Sequence, residues 1–176
     1  MKSFVKYGLW TGFSSGLWGL SCFTIVGWLN NAAFHGSIPA SQIRSYSGLF
    51  SILLLVLGVW LGMSEVKRKN NGVLMYGQAV KTGIGIASIT GLILAIFSYL
   101  YCAVINPGYA DFMVQDAEKT LLAAGKTPQE IGQQLEGVRK EFSTGMQVVE
   151  ALVGQVVVGS ISALIIGLFI RTKKNQ

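Results

Sequence analysis

Four long apolar runs, at residues 9–29, 47–64, 82–105 and 148–170, constrain this chain more than any other feature. A bilayer core of ~30 Å takes about 20 apolar residues of helix to cross, and only a helix or a closed barrel satisfies its own backbone polar groups there. Runs this continuous lack the alternation of barrel strands. The expected fold is therefore all-α: a four-helix transmembrane bundle, with residues 1–176 forming a single membrane domain. Composition agrees, because 51% hydrophobic and only 12% charged residues are too apolar a balance for an ordinary soluble domain of this length.

The net charge of +6 raises the question of a nucleic-acid partner. Such a surface needs basic residues gathered on one soluble face, whereas here they lie between the apolar runs. No nucleic acid is expected. Lys2, Lys6, Lys67, Arg68, Lys69, Lys81, Arg171, Lys173 and Lys174 fall before the first run, between the second and third, or after the fourth. Arg44, Lys119, Lys126, Arg139 and Lys140 are spread over the other two connections. The positive-inside bias then places both termini in the cytoplasm. The basic start followed by an apolar run reads as an uncleaved anchor, since no A-x-A-like cleavage site follows. Gly19 three positions before Cys22 makes a poor lipoprotein box. Cys22, well inside the first run, and Cys102, near the outer end of the third, differ in depth and are not expected to pair.

Aromatic residues mark the bilayer edges: Tyr7, Trp10 and Trp60 inside, and Trp28, Tyr46, Tyr99, Tyr101 and Tyr109 outside. The first outer loop, 30–46, is short, and its Pro39 discourages a long helix. Residues 67–71 form an inner turn ended by Gly72. The third connection is about 40 residues long and carries helix signals. Thr127-Pro128-Gln129-Glu130 is a capping box with proline at the first helical position. Ile131, Leu135, Val138 and Phe142 follow as one apolar stripe, and Met113, Ala117 and Leu121 make another upstream, before Gly125. These predict an outer amphipathic helical hairpin over 109–142. Its stripes can pack on each other, on lipid headgroups or on a partner.

The runs also carry stripes of small residues: Gly8, Gly12, Gly16 and Gly19 in the first, Gly58 and Gly62 in the second, Gly83, Ala87, Gly91 and Ala95 in the third, and Gly159, Ala163 and Gly167 in the fourth. Small residues every three or four positions let helix backbones approach closely in lipid. A tight bundle is expected.

Glu150 is read as the only carboxylate associated with a run. A charge at the bilayer centre costs about 2.5–3.5 kcal/mol by insertion scales. Five residues into a helix starting near Gly145, however, is roughly 7–8 Å at 1.5 Å per residue, within reach of the interface. Gln147 shares its helix face; Arg44 is the expected partner, with Asn106 also near. A structural ion pair and a proton or cation site are the two readings. Gly12-Phe13-Ser14-Ser15-Gly16 matches the G-x-S-x-G pattern of a nucleophile elbow, but that motif needs a strand-to-helix turn and a nearby acid and histidine. The one histidine, His35, is in a loop. Gly83-Ile84-Gly85 is too short a match to a dinucleotide fingerprint. No catalytic, cofactor-binding or metal constellation is expected, and Lys81 reads as a snorkelling anchor.

Tyr76-Gly77-Gln78-Ala79-Val80-Lys81-Thr82-Gly83 before the third run, Ile105-Asn106-Pro107-Gly108-Tyr109-Ala110-Asp111 after it, and the Lys6-Tyr7-Gly8 opening resemble an uncharacterised bacterial four-span membrane family, domain of unknown function 4199. The resemblance covers most of the chain. The family, seen mainly in Bacteroidota, implies an inner-membrane location and supplies no activity. It makes Gln78 and Lys81 at the inner end, and residues 106–111 at the outer, site candidates by motif. The functional expectation is a non-enzymatic scaffold, assembly or accessory subunit in contact with membrane lipids. It would form homo-oligomers or engage a protein partner through the hairpin. The alternative is a small transporter or channel using Glu150.

Overall fold

A computed structural model describes residues 2–26 and 40–172. Trp28, Asn30, His35, Pro39, Lys173 and Lys174 lie outside them, as do the end of the first run and most of the first loop. The described residues form six α-helices: α1 (Ser3–Ser21), α2 (Ala40–Lys69), α3 (Tyr76–Leu100), α4 (Tyr109–Ala123), α5 (Pro128–Glu141) and α6 (Thr144–Ile170). π-helical turns at Cys22–Val26 and Tyr101–Ile105 extend α1 and α3. α2, α3 and α6 are each longer than their apolar runs. Lys67, Arg68 and Lys69 form the last turn of α2, where cations meet the negative end of the helix dipole. The reversal that follows falls on Asn71 (φ 51°) and Gly72 (φ 84°).

Three stretches, Gln42–Lys69, Tyr76–Ile105 and Thr144–Ile170, are long and apolar enough to cross a membrane, which marks the chain as a membrane protein. Their outward side chains, such as Leu53, Leu92, Ile161 and Phe169, are exposed, an apolar surface suited to a lipid solvent. α1 is not among the three. Thr11, Ser14, Ser15 and its glycines dilute its apolar content.

Small residues set how the four long helices meet. A methyl added to Gly8 would strike Ile89, one on Gly12 Ile93, and one on Gly16 Phe97, so α1 and α3 run parallel in matched steps of four. Gly83 faces Ala163, Gly91 faces the Leu152 carbonyl, and Gly167 faces Tyr76, which makes α3 and α6 antiparallel. Gly58 and Gly62 of α2 approach Thr11 and Tyr7 of α1 in the opposite sense. Close backbone approach supplies the dispersion contacts that hold helices together in lipid. Leu55, Val59, Met63, Leu74 and Ile86 fill the remaining space and are completely buried. Thr11 and Thr90, both buried, share a hydrogen bond between α1 and α3, and Thr90 also donates to the Gly8 carbonyl at 3.3 Å.

The hairpin is α4 and α5. Gly125 at φ 72° ends the first arm, and the predicted capping box opens the second, with the Thr127 amide donating to Glu130 Oε2 at 2.9 Å and the Glu130 amide donating to Thr127 Oγ1 at 3.4 Å. The Thr127 amide, and after it the Thr127 hydroxyl donating to the same oxygen at 2.9 Å, hold the Glu130 carboxyl below the usual range. Met113, Ile131 and Phe142 are buried, and Arg139 donates to Asp111 Oδ1 at 2.6 Å between the arms. At the opposite end of the bundle, Thr172 closes the C-terminus onto the α2–α3 turn. Its Oγ1 accepts from the Leu74 amide at 2.9 Å and donates to the Gly72 carbonyl at 2.9 Å.

Candidate functional site

The hairpin end of the bundle gathers most of the candidate residues. Arg44 lies near the start of α2 and Glu150 near the start of α6. Because these helices run oppositely to α1 and α3, their first turns meet under the hairpin. Arg44 Nη2 donates to Glu150 Oε1 at 2.7 Å and Oε2 at 2.6 Å, and Nη1 reaches Gln147 Oε1 at 3.4 Å. Gln147 Nε2 donates in turn to the Glu141 carbonyl at 3.0 Å, joining the end of α5 to α6. The Glu150 side chain is 55% exposed and that of Arg44 24%.

Arg44 also stacks over the Phe142 ring at 4.7 Å, a cation–π contact that opens onto an aromatic cluster. Tyr109 sits at its centre, with ring centroids 5.4 Å from Tyr101, 5.9 Å from Phe23 and 5.9 Å from Phe142. The cluster draws on both π-helical turns and both arms of the hairpin, and so fixes the hairpin to the bundle. Tyr109 is only 4% exposed; burial pushes its hydroxyl up to about 12, opposed by the nearby Arg44 charge. Tyr109 therefore belongs to an interior joint and not to the belt expected for it, while Tyr101 beside it is half-buried. The Asn106-Pro107-Gly108 turn, closed by the Tyr109 amide on the Asn106 carbonyl at 3.1 Å, folds the chain back over the bundle. Cys22 needs a matching correction. Its neighbour Phe23 stacks on Tyr101 at 5.5 Å, so Cys22 lies near the level of Cys102 and not deeper. Both cysteines are buried and free.

Asn106 does not join the Arg44–Glu150 pair. Its amide donates to the Tyr101 hydroxyl at 3.3 Å. Gln78 and Lys81 are at the opposite end, on the first turns of α3. Gln78 Oε1 accepts from the Met75 amide at 3.4 Å as a helix-start cap, and Lys81 is exposed. Ser14 and Ser15 lie within α1, with no strand-to-helix turn around them.

Three features escape a reading of the sequence. Glu65, one position past the second run, stands in the last turns of α2, 8% exposed, beside Lys6 at 3.5 Å and in an ion pair with Lys69. It is a second carboxylate within the bundle, contrary to the expectation that Glu150 is alone. Its i,i+4 spacing to Lys69 was the available signal. Ser15 Oγ and Gln155 Oε1 are buried without a hydrogen-bond partner among the described residues. Third, a cavity of about 350 Å³ lies between the long helices, and Ser15, Arg44, Tyr109, Glu150 and Gln155 contribute to its walls.

The family described as protein of unknown function (DUF4199) matches residues 6–172. The chain belongs to this family. That span runs from the first turn of α1 to just past α6 and takes in the hairpin, so it covers nearly the whole of the fold described above. No curated protein and no solved structure matches the chain.

Proposed function

We propose that this DUF4199 protein is a non-enzymatic four-span protein of the bacterial inner membrane, with both termini in the cytoplasm. In this reading it acts as a scaffold, assembly factor or accessory subunit that presents its hairpin on the outer side. The observation that carries the reading is the aromatic joint around Tyr109, which locks the hairpin onto the bundle. A segment fixed in this way, with Gln129, Gln133, Glu136 and Lys140 exposed on α5, is a rigid platform whose contacts with a partner cost little ordering entropy. α1, packed along α3, serves as the fourth span, and the basic residues at the loop end support the inward termini. Extraction into nanodiscs after mild crosslinking tests the reading. A reproducible complex, or a defined homo-oligomer crosslinked through α5, is the expected result. A monomer that captures nothing contradicts it.

The cavity beside Glu150 favours a second reading, a small transporter in which this carboxylate couples ion movement. Proteoliposome flux that is lost in Glu150→Gln would support it. Absence of flux, together with a Glu150→Gln protein indistinguishable from wild type in cells, would remove it.

A further inference from the structure

Eight glycines of the long helices meet a neighbour that an added methyl would strike at under 3.0 Å, but Gly19, Gly48 and Gly154 meet nothing within 4 Å among the described residues, and all three line the cavity. These glycines hollow the bundle instead of tightening it. Gly19 is on α1, Gly48 on α2 and Gly154 on α6, so three of the four long helices give up side-chain volume toward the same space. At about 350 Å³ the space falls within the range of small-molecule sites.

The walls define what fits. They are mainly apolar, with Leu20, Ile52, Leu94 and Val158 among them. The charged groups at the rim, Arg44 and Glu150, neutralise each other, and a ligand with net charge would have to compete with that pair. Deeper in, Ser15 and Gln155 line the cavity, and each has a buried oxygen with no partner among the described residues. Such orphans are costly and rare in a finished interior. Gln155 Oε1 only accepts, so it requires a donor. The Ser15 hydroxyl can do either. A hydroxyl donates and accepts, and so suits both; a hydrocarbon tail would leave both unsatisfied. The geometry points to a binding site in this cavity for an uncharged, mainly apolar molecule that carries a hydroxyl group, a lipid-like alcohol.

The test uses the full chain in nanodiscs and a long-chain alcohol bearing a diazirine as the photoreactive probe, with labelled positions mapped by peptide mass spectrometry. The expected result is saturable labelling of residues 15–20 and 151–158, displaced by unlabelled 1-dodecanol and, about tenfold less well, by dodecanoate or dodecyltrimethylammonium. Gly48→Leu and Gly154→Leu, which fill the space, should abolish it, while Gly137→Leu on the hairpin should leave it unchanged. Ser15→Ala and Gln155→Leu should each weaken labelling roughly tenfold, the effect of one hydrogen bond, and provide an independent reading should a filled variant fail to fold. Labelling that does not saturate overturns the proposal. So does labelling spread over lipid-facing positions such as Leu53 and Ile161, persistence in the filled variants, or equal displacement by the charged chains.

Discussion

Arg44 carries more of the hairpin end than any other residue. It pairs with Glu150, bonds Gln147 and covers Phe142, so its loss removes three contacts at once. Arg44→Ala should lower stability by about 1–3 kcal/mol. Glu150→Gln, which keeps a hydrogen-bond acceptor at a half-exposed site, should cost under about 1 kcal/mol. Thermal or denaturant unfolding in detergent compares them, and equal losses would mean that the ion pair alone accounts for Arg44. Tyr109 gives a pH signature. Its folded value of about 12 lies above the ordinary 10, so the unfolded chain ionises first as pH rises. The contribution of the buried phenol is complete below pH 10 and declines between about 10 and 12. Phenolate absorbance should show one tyrosine titrating near 12, absent in Tyr109→Phe. A normal titration for every tyrosine would place Tyr109 in contact with water.

At the scale of elements, the capping box and the glycine contacts make opposite kinds of demand. Thr127→Ala should cost about 1 kcal/mol and act locally, raising amide exchange at Ile131, whose amide bonds the Thr127 carbonyl, while leaving α6 unchanged. Gly91→Ala would bring a methyl to 2.8 Å from the Leu152 carbonyl oxygen. A backbone atom cannot step aside, so a loss of about 1–3 kcal/mol is expected. Gly154→Ala, facing open space, should instead gain up to about 1 kcal/mol from helix propensity. Melting temperatures of the two variants should move in opposite directions. These elements also show what the sequence could tell. The capping box and the i,i+4 glycines are local patterns and were legible as written. The Thr11–Thr90 bond and the placing of Phe23 against Tyr101 depend on the register between helices, which no single helix encodes. Glu65 was missed because the apolar run stops at Ser64, although α2 continues to Lys69. The belt reading of Tyr109 failed because Asn106-Pro107-Gly108 turns the chain inward. For the candidate site, residue types were legible and geometry was not. Arg44, Glu150 and Gln147 converge, Asn106 stays with Tyr101, and Gln78 and Lys81 stand at the far end.

For the whole molecule, two ends of different character follow from one bundle. The loop end is basic and clamped by Thr172. The hairpin end is aromatic, charge-paired and hollow. Between them the exposed leucines and isoleucines of three helices require a lipid surround, and α1, locked to α3 through Gly8, Gly12 and Gly16, would have to cross with them. The central claim is thus a four-span bundle with its hairpin outside and its basic end inside. Modification of single cysteines by a membrane-impermeant maleimide in intact cells tests it most directly, in a background where Cys22 and Cys102 are serine. Gly137→Cys on α5 should react in intact cells, and Gly72→Cys should react only after permeabilisation. Reaction of Gly72→Cys in intact cells, or protection of Gly137→Cys, would contradict the account.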